Sequence, residues 1–99
     1  MATLTLITGP KAQAASAMPA SDLYLSRWFR LARALAECRG PWRVLSTRHG
    51  LLMPEVVIEP YEPRKPGPVW YEEVASDLLG LTQPGDTVTV LASNRHAEA

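Results

Sequence analysis

The sequence predicts an α/β fold, a small three-stranded parallel sheet with crossover helices. Two observations point to it. Apolar, β-branched runs at residues 3–8, 42–46 and 87–92 read as strands. Helical periodicity fills the two intervals between them. Strands that alternate with helices pair in parallel, because each helix carries the chain back to the start of the next strand.

The first strand is TLTLIT, stopped by Gly9-Pro10. Residues 11–20 form a loop of small side chains with too little apolar bulk to pack as a core element. A helix is expected within residues 21–39. Tyr24, Trp28, Leu31, Leu35 and Cys38 recur on one face of it, and Arg27, Arg30 and Arg33 fall on others. Ser21 and Ser26 are both candidate N-caps, and a cap at Ser26 would leave Asp22-Leu23-Tyr24 as a separate turn. Gly40-Pro41 ends the helix. The second strand, WRVLS, runs into Thr47-Arg48-His49-Gly50, and Leu51-Leu52-Met53 follows as a short apolar piece before Pro54. Pro60, Pro63, Pro66 and Pro68 make a stiff connector, and Pro68 suits the first turn of the next helix. Tyr71, Val74, Ala75 and Leu78 give that helix an apolar stripe, flanked by Trp70, up to Gly80. Gln83-Pro84-Gly85-Asp86 turns the chain into TVTVLA.

With 99 residues the chain reads as a single α/β domain, 1–99. Its formal net charge is zero, so no whole-molecule field draws it to nucleic acid or membrane. The charges are nonetheless unevenly placed: the half up to Gly50 is basic and the half after it acidic. Cys38 is the one cysteine. It excludes an intramolecular disulfide, fits a reducing compartment such as the cytoplasm, and is expected to be a buried small hydrophobe. No apolar run is long enough to span a membrane, and the alanine-rich segment lacks the basic flank of a signal peptide.

The expected strand order is 2-1-3, a Rossmann/flavodoxin-like arrangement that sends the two helices to opposite faces of the sheet. Ligands of such sheets bind outside the carboxyl ends of the strands. Three polar turns would meet there: Thr8-Gly9-Pro10-Lys11, Ser46-Thr47-Arg48-His49-Gly50, and Ser93-Asn94-Arg95-His96. Two of them repeat Ser-x-Arg-His. Gly9 and Gly50 admit a ligand close to the backbone. Lys11, Arg48 and Arg95 offer positive charge. Ser46, Thr47, Ser93 and Asn94 offer hydrogen bonds, and His49 is the best acid or base. The set suits a phosphate, a carboxylate or a nucleobase edge. No Walker loop, GxGxxG, GxSxG or zinc-ligand spacing is present, so no cofactor or metal is implied.

Several of these residues also form a longer pattern. Asp22-Leu23-Tyr24-x-Ser26-x-x-Phe29-Arg30-x-Ala32-Arg33 is followed by Leu45-Ser46-x-x-His49-Gly50-Leu51-x-x-Pro54 and then Pro60-Tyr61. This resembles an uncharacterised family of bacterial and phage proteins, a domain of unknown function whose members carry LYxSxxFRxAR, LSAxHGLxxP and PYD segments. A remoter likeness is to YaaA-type peroxide-stress proteins. The resemblance implies an α/β fold and a site built by these segments, which adds Tyr24, Ser26, Arg30 and Tyr61 to the candidates. The sequence departs from the family where Gly9-Pro10-Lys11 replaces a cysteine-bearing CxxxK segment, and where Glu62 replaces the PYD aspartate. Family members also continue for another helix and strand, which this chain would lack.

The reading is a domain that binds a nucleotide, nucleobase or nucleic-acid end at the strand C-termini, with hydrolase-like chemistry at His49 as its catalytic form. The alternative is a non-catalytic interaction module, a phage or accessory protein that forms a homodimer or binds a host protein.

Overall fold

The computed structural model describes residues 2–62 and 65–92. The chain runs β1 (Thr3–Thr8), β2 (Met18–Pro19), α1 (Ala20–Leu23), α2 (Arg27–Arg39), β3 (Trp42–Ser46), β4 (Gly50–Leu52), β5 (Val57–Ile58), α3 (Pro68–Leu81) and β6 (Thr87–Leu91).

The main sheet has four strands in the order β4-β3-β1-β6, and β2 and β5 form a separate antiparallel pair. β1 pairs in parallel with β3 and β6, while β3 and β4 are antiparallel. This overturns the expected three-stranded, all-parallel Rossmann/flavodoxin-like sheet, because the sheet is mixed and has a fourth strand. The cause is local. Ser46 pairs with Gly50 across a three-residue turn, and Gly50 sits at φ 74°, a conformation open to glycine. A three-residue loop closed by a left-handed glycine is a favoured hairpin connection. Leu51 and Leu52 then pair back onto Leu45 and Val44.

The helix expected within residues 21–39 is two helices. Ser26 caps α2, its Oγ accepting from the Phe29 N–H at 3.0 Å. The buried face of α2 is Phe29, Ala32 and Ala36, not the larger stripe around it. Those three pack with Ile7, Val44 and Leu52 in one core cluster. Small alanines let the helix axis lie close to the sheet, and this leaves Leu31 and Leu35 exposed. Cys38 is exposed as well, against the expectation of burial. The loop of small residues is not core-free either: Ala14 and Ala20 are buried, with Leu23 and Tyr24 beside them.

Side-chain alternation puts Thr5, Ile7, Val44 and Ser46 on the α2 face of the sheet. Arg43 and Leu51 belong to the other face, where they line a shallow cavity with Ser76, Asp77 and Leu81 of α3. Only Val74 of α3 is buried, so the expected stripe is largely open, with Tyr71 and Ala75 exposed. β6 lies at the sheet edge, and its Val88 and Val90 are also exposed.

Candidate functional site

The turn after β3 is built on one side chain. Ser46 is fully buried at the end of the strand. Its Oγ accepts from the backbone N–H of Arg48 at 3.2 Å and of His49 at 3.0 Å. It also donates to Tyr61 Oη at 2.9 Å. Tyr61 Oη in turn lies 2.6 Å from Tyr24 Oη. Three hydroxyls from three distant segments thus form one chain.

The rest of the geometry holds that chain in place. Gly9, at the end of β1, bonds through its N–H to the Leu45 carbonyl at 3.1 Å. The Tyr24 ring lies directly against it: a Cβ at this position would stand 2.7 Å from the ring, so only glycine fits. Tyr24 also packs on Phe29, with ring centroids 5.0 Å apart. Gln13 clamps the backbone of Tyr61. Its Oε1 accepts from the Tyr61 N–H at 2.9 Å, and its Nε2 donates to the Tyr61 carbonyl at 3.2 Å. Trp70 Nε1 donates to the Ser46 carbonyl at 2.8 Å and ties the start of α3 to the same turn.

Beside the hydroxyl chain opens a cleft of about 500 Å³, lined by Thr47, Arg48, His49, Lys65, Trp70 and Glu73 among others. A second hollow of about 360 Å³ lies on the Lys11, Gln13, Tyr61 and Glu62 side. Among the described residues, the ion pairs are those of Arg33 with Asp22 and Glu37, so Arg48 and Lys65 are in none. The His49 ring meets Tyr61 edge-on, centroids 5.4 Å apart. Partial loss of water, and then the Arg48 guanidinium, push the imidazole below its ordinary value and favour its neutral form. Burial, reinforced by the Tyr61 hydroxyl, pushes the Tyr24 phenol well above the usual tyrosine range, so it stays protonated.

Of the candidates from sequence, Gly9, Tyr24, Ser46, Arg48, His49 and Tyr61 come together here. Thr47 lines the cleft, and Gly50 closes the turn with its α-carbon side against Val74. Lys11 is exposed at the second hollow. Thr8 is used between strands, its Oγ1 donating to the Leu91 carbonyl at 3.4 Å. Ser26 is a helix cap, and Arg30 is exposed on α2, outside the hydroxyl chain. Ser93, Asn94, Arg95 and His96 lie outside the described residues.

Sequence reasoning missed Gln13 and the role of Trp70. Gln13 lies in a patternless small-residue loop, and nothing local marks it. Trp70 was visible as an aromatic beside a helix stripe, but its N–H bond to β3 depends on tertiary approach. Among the described residues, no group of three or more His, Cys, Asp or Glu could hold a metal, and no helix is long and apolar enough to cross a membrane.

No curated protein and no solved structure matches the chain. Residues 4–99, which include every residue of the hydroxyl chain and its cleft, match a family of unknown function, DUF6884, and the chain belongs to that family.

Proposed function

We propose that the cleft beside the β3–β4 turn binds a nucleotide, a nucleobase or a nucleic-acid end. One observation carries this: an open cleft of about 500 Å³ at the carboxyl end of β3 is lined by Arg48, His49, Lys65 and the Trp70 indole. Its size suits a ligand of mononucleotide scale. Arg48 and Lys65, free of ion pairs among the described residues, supply charge for a phosphate. Trp70 supplies an aromatic wall for a base. Glu73 would repel the phosphate, but it accepts hydrogen bonds from a sugar hydroxyl or a base amine. His49, held toward its neutral form, is the group able to take or give a proton there.

The test is a titration of the full chain with nucleotides, nucleosides and short oligonucleotides, read by tryptophan fluorescence and calorimetry. The expected result is saturable binding that weakens about tenfold or more in Arg48→Ala, as for loss of a charge-assisted contact. A wild-type chain that binds none of the panel ends the reading.

A second reading, self-association as a non-catalytic interaction module, is favoured by the edge strand. Among the described residues nothing pairs with the outer side of β6, and Val90 and Leu91 share an apolar groove with Leu31 and Leu35. Unguarded edges of this kind pair with other strands. Sedimentation over a concentration series tests it: association should appear and be abolished by Val90→Lys, and a monomer throughout rejects it.

A further inference from the structure

The cleft and the second hollow share a wall. His49 lines the cleft with Arg48, Lys65 and Trp70, and Tyr61 lines the hollow with Lys11 and Gln13. The His49 and Tyr61 rings meet edge-on, centroids 5.4 Å apart, so the wall there is one pair of rings. The two spaces are therefore neighbours. At about 500 and 360 Å³, each has the size of a small-ligand pocket.

Both sides of the wall hang from Ser46. Its Oγ accepts from the His49 N–H at 3.0 Å and bonds the Tyr61 hydroxyl at 2.9 Å. Gln13 fixes the Tyr61 backbone at its N–H and its carbonyl. The spacing of the two hollows is thus set before a ligand arrives, which lowers the cost of binding across both.

Each hollow also carries the same pair of functions. The cleft has the Trp70 indole with Arg48 and Lys65, and the hollow has the Tyr61 ring with Lys11. Aromatic faces that stack successive bases, with cations that follow the backbone, are the means by which proteins hold a single strand. Lys11 is exposed, and among the described residues the ion pairs are those of Arg33, so Lys11 is in none. Charge gives the ligand a direction. Arg48 and Lys65 outweigh Glu73 in the cleft, whereas Lys11 and Glu62 balance in the hollow. A terminal phosphate, the most negative group of a strand end, belongs in the cleft. The hollow suits the next nucleotide, whose linking phosphate carries a single charge.

We infer that the two hollows are one site for the end of a nucleic-acid strand. The cleft takes the terminal phosphate and its nucleotide, and the hollow takes the second nucleotide. The linking phosphodiester crosses the His49–Tyr61 wall toward Lys11. The inference rests on the nucleotide reading of the cleft and sets its ligand as a strand end of two nucleotides or more.

The experiment titrates wild type, Lys11→Ala and Arg48→Ala by calorimetry with adenosine 5′-monophosphate and with the 5′-phosphorylated diadenylate, in ribose and deoxyribose forms. Wild type should bind the diadenylate about tenfold or more tighter than the monophosphate, as for one added base and phosphate contact. Lys11→Ala should lose most of that gain and leave the monophosphate within about twofold of wild type. Arg48→Ala should weaken both ligands. Lys11 is exposed, so its variant should melt as wild type does. The sugar form bound more tightly identifies RNA or DNA as the source. A diadenylate bound no tighter than the monophosphate, a gain that survives Lys11→Ala, or an equal loss of both ligands in that variant overturns the inference alone. Wild type that binds neither ligand overturns the cleft reading as well.

Discussion

Thr5 and Ser46 both carry a fully buried hydroxyl on the same face of one sheet, Thr5 on β1 and Ser46 at the end of β3. Ser46 Oγ is hydrogen-bonded within 3.2 Å to two backbone N–H groups and a phenol. Thr5 Oγ1 has none. The difference follows from where each sits. At the carboxyl end of β3 the chain turns, the ladder stops, and free N–H groups face inward, so a short hydroxyl can gather them. Thr5 lies within the ladder between β3 and β6, where the backbone groups are occupied by the strands themselves. There its β-branched shape suits the pleat, and the oxygen is tolerated as part of that shape. The polar organisation of the buried sheet is therefore at one end, the end where the cleft opens.

Removing the matched hydroxyl should have the largest effect. Ser46→Ala leaves two turn N–H groups without their acceptor and takes a donor from Tyr61. The expected loss is about 2–3 kcal/mol of folding stability, read by urea denaturation at neutral pH. Binding at the cleft should fall with it, since Arg48 and His49 both hang from that turn. A variant within experimental error of wild type would show that the turn holds its shape without the hydroxyl, and the contrast with Thr5 would lose its meaning.

Much of this was legible in the sequence, and the parts that were not have physical causes. TLTLIT, WRVLS and TVTVL announce strands through β-branching, and Gly40-Pro41 and Pro68 mark helix limits that the structure keeps. Ser46, His49 and Gly50 stood out because a strand ended in polar residues. The fourth strand was missed although its signal was present: Ser-Thr-Arg-His-Gly between two apolar pairs is a hairpin loop with its glycine in place. Leu51-Leu52-Met53 reads by itself only as a short apolar piece before Pro54. The buried face of α2 was misjudged because periodicity weighs large apolar residues, whereas the close approach of helix to sheet selects Ala32 and Ala36. The Tyr24–Tyr61–Ser46 chain joins residues 15 and 37 positions apart, and no local pattern encodes that meeting.

The unmatched hydroxyl yields a smaller effect of opposite sign. Thr5→Val keeps the side-chain shape and removes an oxygen that is buried without a partner. The expected gain is about 1 kcal/mol, seen as a shift of the denaturation midpoint with an unchanged slope. Ligand binding should stay as in wild type, since Thr5 touches none of the cleft. A destabilised Thr5→Val would mean that the hydroxyl has a role at the centre of the sheet, and the division between an apolar interior and one polar end would fail.

The smallest effect is a pH dependence confined to the polar end. His49 faces Arg48 on its own turn, Tyr61 across the ring contact, and Lys65 and Glu73 across the cleft. Lost hydration and then the Arg48 charge set its folded value below the ordinary 6.5. The unfolded chain therefore binds the proton more readily than the folded one. Stability from this group is level above about pH 6.5 and declines as pH falls toward the folded value. Comparing the His49→Gln variant with its parent between pH 5 and 8, with His96→Gln in both arms to remove the other imidazole, isolates the effect. The parent should lose stability relative to the variant below pH 6.5, and Arg48→Ala should shrink the difference. A phosphate bound in the cleft reverses the sign, because an anion beside the ring favours the imidazolium. Binding of adenosine 5′-monophosphate should then tighten as pH falls through the same window, over and above any change in the ligand's own ionisation. If the parent gains stability on acidification without ligand, the imidazole is not held toward its neutral form by the Arg48 side of the cleft, and the polar end is less positive than its arginine and lysine suggest.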